Sequence, residues 1–151
     1  MTTIIAPTAA VDPAAEIDHE VEIGPFCVVG PHARIGPGTR LLNSVTIMGH
    51  VTIGRENMIY PTVVIGGEPQ DISYSGSDTQ VLIGDGNTIR EGVTINRGSE
   101  KEDGVTRIGD HNFLMACSHV AHDCKLGDHI IMANGALLGG QHLAGRLDLQ
   151  R

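Results

Sequence analysis

One feature constrains this chain more than any other: an aliphatic residue returns every six positions. Ile5, Val11, Ile17, Ile23, Val29, Ile35, Leu41, Ile47, Ile53, Ile59 and Ile65 keep that spacing without a miss. The phase resumes at Ile83, Ile89 and Ile95, slips by one residue, and continues through Ile108, Leu114, Val120, Leu126, Met132 and Leu138. Four residues after each aliphatic position stands a second, mostly small or β-branched set: Ala9, Ala15, Val21, Cys27, Ala33, Thr39, Val45, Val51 and Val63, with Asn57, Asn87 and Asn112 as polar members. A helix needs apolar residues three and four apart, and a simple strand alternates by two. A strict six with a partner at plus four predicts a solenoid of short strands and corners. Three hexads would close one triangular coil, with the aliphatic residues of successive coils stacked at the strand spacing of about 4.8 Å.

Composition agrees. With two Tyr, two Phe and no Trp in 151 residues, a core must come from Ile, Val, Leu and Ala. Twenty Gly and seven Pro are too many for a helical bundle and lack the collagen period. Gly often follows the aliphatic residue, as in Ile23-Gly24, Ile53-Gly54, Ile83-Gly84 and Ile108-Gly109, which reads as a corner needing glycine's backbone angles. The formal charge of −8 disfavours a nucleic-acid partner. No run approaches a membrane span, no apolar stretch follows Met1 as in a signal peptide, and there are only three Cys, so a cytoplasmic setting is expected. The repeat is expected to occupy residues 1–143, with loops at 67–82 and 96–107, ahead of a non-repeat tail at 144–151.

The first loop, GEPQDISYSGSDTQVL, is polar and turn-rich, as insertions on the binding face of a solenoid are. The second, NRGSEKEDGVTR, carries a Glu-Lys-Glu-Asp run that reads as a solvated tip. The densest polar group is His119-Val120-Ala121-His122-Asp123-Cys124. Val120 is the inward aliphatic residue and Cys124 takes the small inward slot, so Cys124, like Cys27, reads as a packing residue. His119 and His122 should project from a corner. A neutral imidazole can take a proton from an attacking hydroxyl near pH 7, and an adjacent carboxylate can hold its tautomer. Neighbours on a flat strand point to opposite faces, so His122 and Asp123 can cooperate only if the corner bends them together. A metal site of the kind found in gamma-class carbonic anhydrases is the competing use of the two His.

Four stretches carry a more specific resemblance: IGPFCVVGPHARIGPGT (Ile23 to Thr39), PQD-x-x-Y-x-G (Pro69 to Gly76), IGDGNTIREGVTINRG (Ile83 to Gly98) and SHVAHDCKLGDHIIMANGALLGG (Ser118 to Gly140). In that order they resemble the acyl-carrier-protein UDP-N-acetylglucosamine O-acyltransferase family, which belongs to the hexapeptide-repeat transferases. The resemblance implies an all-β, left-handed parallel β-helix that assembles as a homotrimer. It also implies transfer of an (R)-3-hydroxyacyl group from acyl carrier protein to the sugar 3-hydroxyl of UDP-N-acetylglucosamine, the first step of lipid A biosynthesis, with no metal and no cofactor beyond the acyl donor. Carried over by position, His122 is the general base, Asp123 its supporting carboxylate and Gly140 the backbone donor to the oxyanion. Gln70, Asp71 and His119 contact substrate, and either Gln141 or His142 fills a second substrate position.

Three departures accompany the likeness. Ser73 stands where the family usually carries a Lys, two residues after the loop Asp. Gln141 stands where a His is expected. The chain stops at Arg151, short of the further hexads and the C-terminal helical segment the family carries, which predicts a truncated product. The alternatives are another hexapeptide-repeat acetyltransferase using coenzyme A, the zinc-dependent anhydrase, and an inactive trimerisation scaffold.

Overall fold

Each hexad contributes one inward aliphatic side chain before the chain turns, so the strands are only two to four residues long. The computed structural model describes residues 2–140 and the backbone of Leu143 and Ala144. Among the described residues there are twenty-one strands and no helix. Each strand pairs in parallel with the third strand before it and the third after it, which gives three seven-stranded sheets, one for each side of a triangular coil. The result is the expected left-handed parallel β-helix. On one side Ile5, Ile23, Leu41, Ile59, Ile89, Leu114 and Met132 pair in succession, so the six-residue phase of the sequence becomes a vertical stack.

The aliphatic stack is the core. Ile23, Val29, Ile53 and Ile59 are all at most 2% exposed, as the phase predicts. Ile5 is 43% exposed and Val11 and Ile17 are half-buried, because among the described residues a coil stacks on only one side of them. The polar members of the second register build a ladder instead of leaving holes. The backbone N–H of Asn57 donates to Thr39 Oγ1 at 3.1 Å, that of Asn87 to Asn57 Oδ1 at 2.8 Å, that of Asn112 to Asn87 Oδ1 at 2.9 Å and that of Ile130 to Asn112 Oδ1 at 2.8 Å. Their side-chain amides donate to the carbonyls of Gly84, Gly109 and Gly127. Buried amides satisfied in this way cost the core little.

The glycines after Ile83 and Ile108 serve a different purpose from the one their sequence position suggests, whereas Gly66 after Ile65 does adopt a positive φ of 93°. Gly84 and Gly109 are needed for close stacking: a β-carbon on either would lie 2.7 Å from the carbonyl oxygen of Gly109 or Gly127 in the next coil. The left-handed backbone falls two residues later, at the third position after the aliphatic one. Glu20, Phe26, Ser44, Glu56, Thr62, His111, Cys117, Asp123 and His129 adopt it with φ between 55° and 66°.

Both loops leave the helix at the same edge. Ile65 pairs with Ile95, thirty residues on where a regular coil takes eighteen, and Ile95 pairs with Val120, twenty-five residues on. The excursions run through 68–79, between strands Val64–Gly67 and Gln80–Ile83, and through 97–104, between strands Thr94–Asn96 and Val105–Ile108. At the far end strand Leu143–Ala144 pairs with Lys125–Leu126, so the ladder reaches Ala144.

Candidate active site

Ile65, Ile95, Val120 and Leu138 are register partners on four successive coils. The corner that follows them is therefore one vertical edge of the prism. His122 lies two residues past Val120 and Gly140 two residues past Leu138, which places them at equivalent points on adjacent coils. The two loops leave the same edge one and two coils earlier. The hexad thus brings four sequence-distant stretches to one place.

The corner bends His122 and Asp123 together. With φ at 64°, Asp123 turns its side chain back toward the imidazole, and its Oδ2 lies 2.9 Å from His122 Nδ1. Asp123 is buried, and its carboxylate is held from behind: Oδ1 accepts from the Ser99 backbone N–H at 2.9 Å and Oδ2 from the Ser99 hydroxyl at 2.5 Å. Its own N–H donates to Thr106 Oγ1 at 2.9 Å. A ring fixed at Nδ1 in this way turns Nε2 outward. On that side a β-carbon on Gly140 would lie 2.6 Å from both Cε1 and Nε2, so only glycine lets the next coil's backbone come this close to the ring. Cys124 is buried and its thiol donates to the Gly139 carbonyl at 2.9 Å, which ties that backbone to the core.

His119 sits on the outward side of strand His119–Val120, in register with Thr94, and its Nδ1 lies 2.6 Å from Thr94 Oγ1. Burial lowers its proton affinity, and the neighbouring His122 lowers it further, against the opposing hydrogen bond at Thr94.

The first loop brings Asp71 to within 4.0 Å of His122 Nε2 and leaves Gln70 exposed beside it. Asp71 Oδ1 accepts from the backbone N–H and the hydroxyl of Ser73 at 3.0 and 2.8 Å, and Oδ2 lies 2.7 Å from Lys101 Nζ. Lys101 is the first cause, and Ser73 the second, of a carboxyl held well below the usual carboxylate range. The loop is pinned by Arg97, which donates to the Gly66 carbonyl at 2.9 Å and to the Tyr74 hydroxyl at 3.3 Å.

The acidic-basic run of the second loop is exposed, as a solvated tip is expected to be, and two of its residues also reach the site. Glu100 accepts from the backbone N–H and the hydroxyl of Ser75 at 2.9 and 3.0 Å, Lys101 binds Asp71, and Ser99 supports Asp123. Sequence reasoning missed Ser99, Lys101, Thr94 and Thr106. Only the register carries a signal for Thr94, whereas nothing in the hexad points to the loop residues. Gln141 and His142 lie outside the described residues. Among the described residues, no three His, Cys, Asp or Glu side chains group to hold a metal ion, and no helix is long and apolar enough to cross a membrane.

Comparison with known proteins follows the same geometry. Residues 5–99 match the model of the GMPPB C-terminal domain, and residues 106–140 that of the bacterial transferase hexapeptide (six repeats). The acyl-[acyl-carrier-protein]--UDP-N-acetylglucosamine O-acyltransferase of Halorhodospira halophila is 54% identical over 92 residues, covering 61% of this chain and 36% of that protein. Among solved structures, LpxA from Acinetobacter baumannii superposes with a TM-score of 0.91 at 41% identity, covering 93% of this chain and 54% of that one. The UDP-N-acetylglucosamine acyltransferase of Francisella novicida gives 0.92 at 42%, covering 94% and 52%. The chain thus spans about half the length of these solved relatives and about a third of the curated one.

Proposed function

The chain belongs to the hexapeptide-repeat transferases, in the family of the UDP-N-acetylglucosamine O-acyltransferases, and from that premise we propose that its corner site transfers an (R)-3-hydroxyacyl group from acyl carrier protein to the 3-hydroxyl of UDP-N-acetylglucosamine, the entry reaction of lipid A biosynthesis. The observation that carries the reading is the His122 imidazole, fixed at Nδ1 by a buried carboxylate while Nε2 faces the backbone of Gly140.

In this reading Nε2 takes the proton of the sugar hydroxyl as its oxygen bonds to the thioester carbonyl carbon. Asp123 stabilises the imidazolium that forms. The Gly140 N–H donates to the oxyanion, where a fixed donor meets developing charge. As the tetrahedral intermediate collapses, the carbon–sulfur bond breaks and the imidazolium returns the proton to the leaving thiolate. Gln70, Asp71 and His119 line the acceptor side. The chemistry needs no metal.

The same reading makes the working particle a cytoplasmic homotrimer. The test is a transfer assay with 3-hydroxyacyl-acyl carrier protein or 3-hydroxyacyl-coenzyme A as donor and UDP-N-acetylglucosamine as acceptor, read by mass spectrometry. Acylated nucleotide sugar formed from the carrier-protein donor is expected. Preference for coenzyme A would move the chain to another transferase of this fold, and no product from either donor would leave an inactive scaffold.

A further inference from the structure

Two carboxylates flank the His122 imidazole, and they are treated differently. Asp123 bonds to Nδ1. The Oδ2 of Asp71 stops at 4.0 Å from Nε2, beyond hydrogen-bond reach. Neither Asp71 oxygen is idle: Ser73 occupies Oδ1 from two sides, and the Lys101 ammonium sits 2.7 Å from Oδ2. Lys101 is joined to the other carboxylate as well, because its backbone N–H donates at 3.2 Å to the Ser99 hydroxyl that holds Asp123. One turn of the second loop therefore sets both acids around the ring.

The arrangement matters because an ionised carboxylate near an imidazole favours its charged form, and an imidazolium bonded at both nitrogens cannot take a proton from a hydroxyl. We propose that Lys101 is a positioning residue of the site, a cation that holds the Asp71 carboxylate off Nε2 and so keeps that nitrogen open as a proton acceptor. The charged and titratable groups facing the ring are Asp123 from its own corner, Asp71 from the first loop, Lys101 from the second and His119 from the preceding strand. Ser73 offers no charge to share this task. The inference rests on the functional reading above only for the use made of the open nitrogen; the electrostatics are a property of the chain itself.

The experiment is a pH titration of the His122 side chain by nitrogen NMR on histidine-labelled protein. Lys101→Met, Lys101→Arg, Asp71→Asn and the Asp71→Asn, Lys101→Met double variant are compared with the parent. The Lys101 side chain is half exposed, so its replacement leaves the core untouched. Lys101→Met should raise the pH at which His122 loses its proton by about one unit or more. Lys101→Arg should titrate like the parent, and adding Lys101→Met to Asp71→Asn should cause a smaller shift, the part due to the lost ammonium charge alone. Coincident titrations of Lys101→Met and the parent, or a shift of undiminished size without the Asp71 carboxylate, would overturn the proposal. The expected shift in a chain that shows no acyl transfer would contradict the functional reading alone.

Discussion

Gly140 lies so close to His122 that a β-carbon on it would fall 2.6 Å from both Cε1 and Nε2 of the imidazole. The contact follows from the repeat, since the two residues occupy the same place on adjacent coils. Gly140→Ala should tilt the ring away from Asp123 and lower acyl transfer about 100-fold, the scale of loss from a displacement of about 1 Å at a reacting centre. Because Gly140 is exposed, the melting temperature should hardly move. Unchanged transfer rates in that variant would contradict the packing argument.

Ser99 is buried and gives two hydrogen bonds to the buried Asp123 carboxylate. Ser99→Ala keeps the backbone donor and removes the hydroxyl. A hydrogen bond to a charged group contributes about 1.5–3 kcal/mol, so urea unfolding should show a loss in that range with an unchanged slope. Transfer should fall as well, because the carboxylate that orients His122 loses a restraint. An unchanged urea midpoint would show that water replaces the hydroxyl without cost.

His119 gives a pH dependence whose sign is determined. Burial lowers its proton affinity below the ordinary value of 6.5, so the native state binds fewer protons there than the unfolded chain does. This residue's contribution to stability is full above about pH 6.5 and is lost as pH falls through its lower native value. His119→Gln should lose less melting temperature than the parent between pH 7.5 and pH 5.5. Parallel curves for the two proteins would remove His119 as a source of the slope.

Much of the fold was legible because a six-residue phase admits few three-dimensional solutions, and Ile23 to Met132 had only to stack. The His122–Asp123 pair was legible as chemistry. Whether the two side chains could meet depended on the left-handed backbone at Asp123, which falls at the third position after the aliphatic residue whatever side chain stands there: Phe26, Thr62 and Cys117 adopt it too, so residue type carries no signal of it. Lys101 and Ser99 were hidden for a different reason. They reach the site from an insertion whose path is set by contacts with the other loop, Ser75 to Glu100 and Asp71 to Lys101, and no periodicity relates those residues. The glycines after the aliphatic residues were visible, but their purpose became clear only once the next coil's carbonyls stood opposite them.

The measurement that bears most directly on the account compares His122→Ala with Cys124→Ala in the carrier-protein transfer assay and in thermal unfolding. His122 lies at the corner with 13% of its side chain exposed, whereas Cys124 is buried in the core. The account predicts that His122→Ala loses about 10²- to 10⁴-fold in transfer, the range that removal of a general base costs, and melts earlier because the buried Asp123 carboxylate loses a partner. Cys124→Ala should melt earlier while keeping far more of its activity. Full turnover in His122→Ala, under conditions where the chemical step limits the rate, would contradict the account and leave the histidine a corner residue of the β-helix.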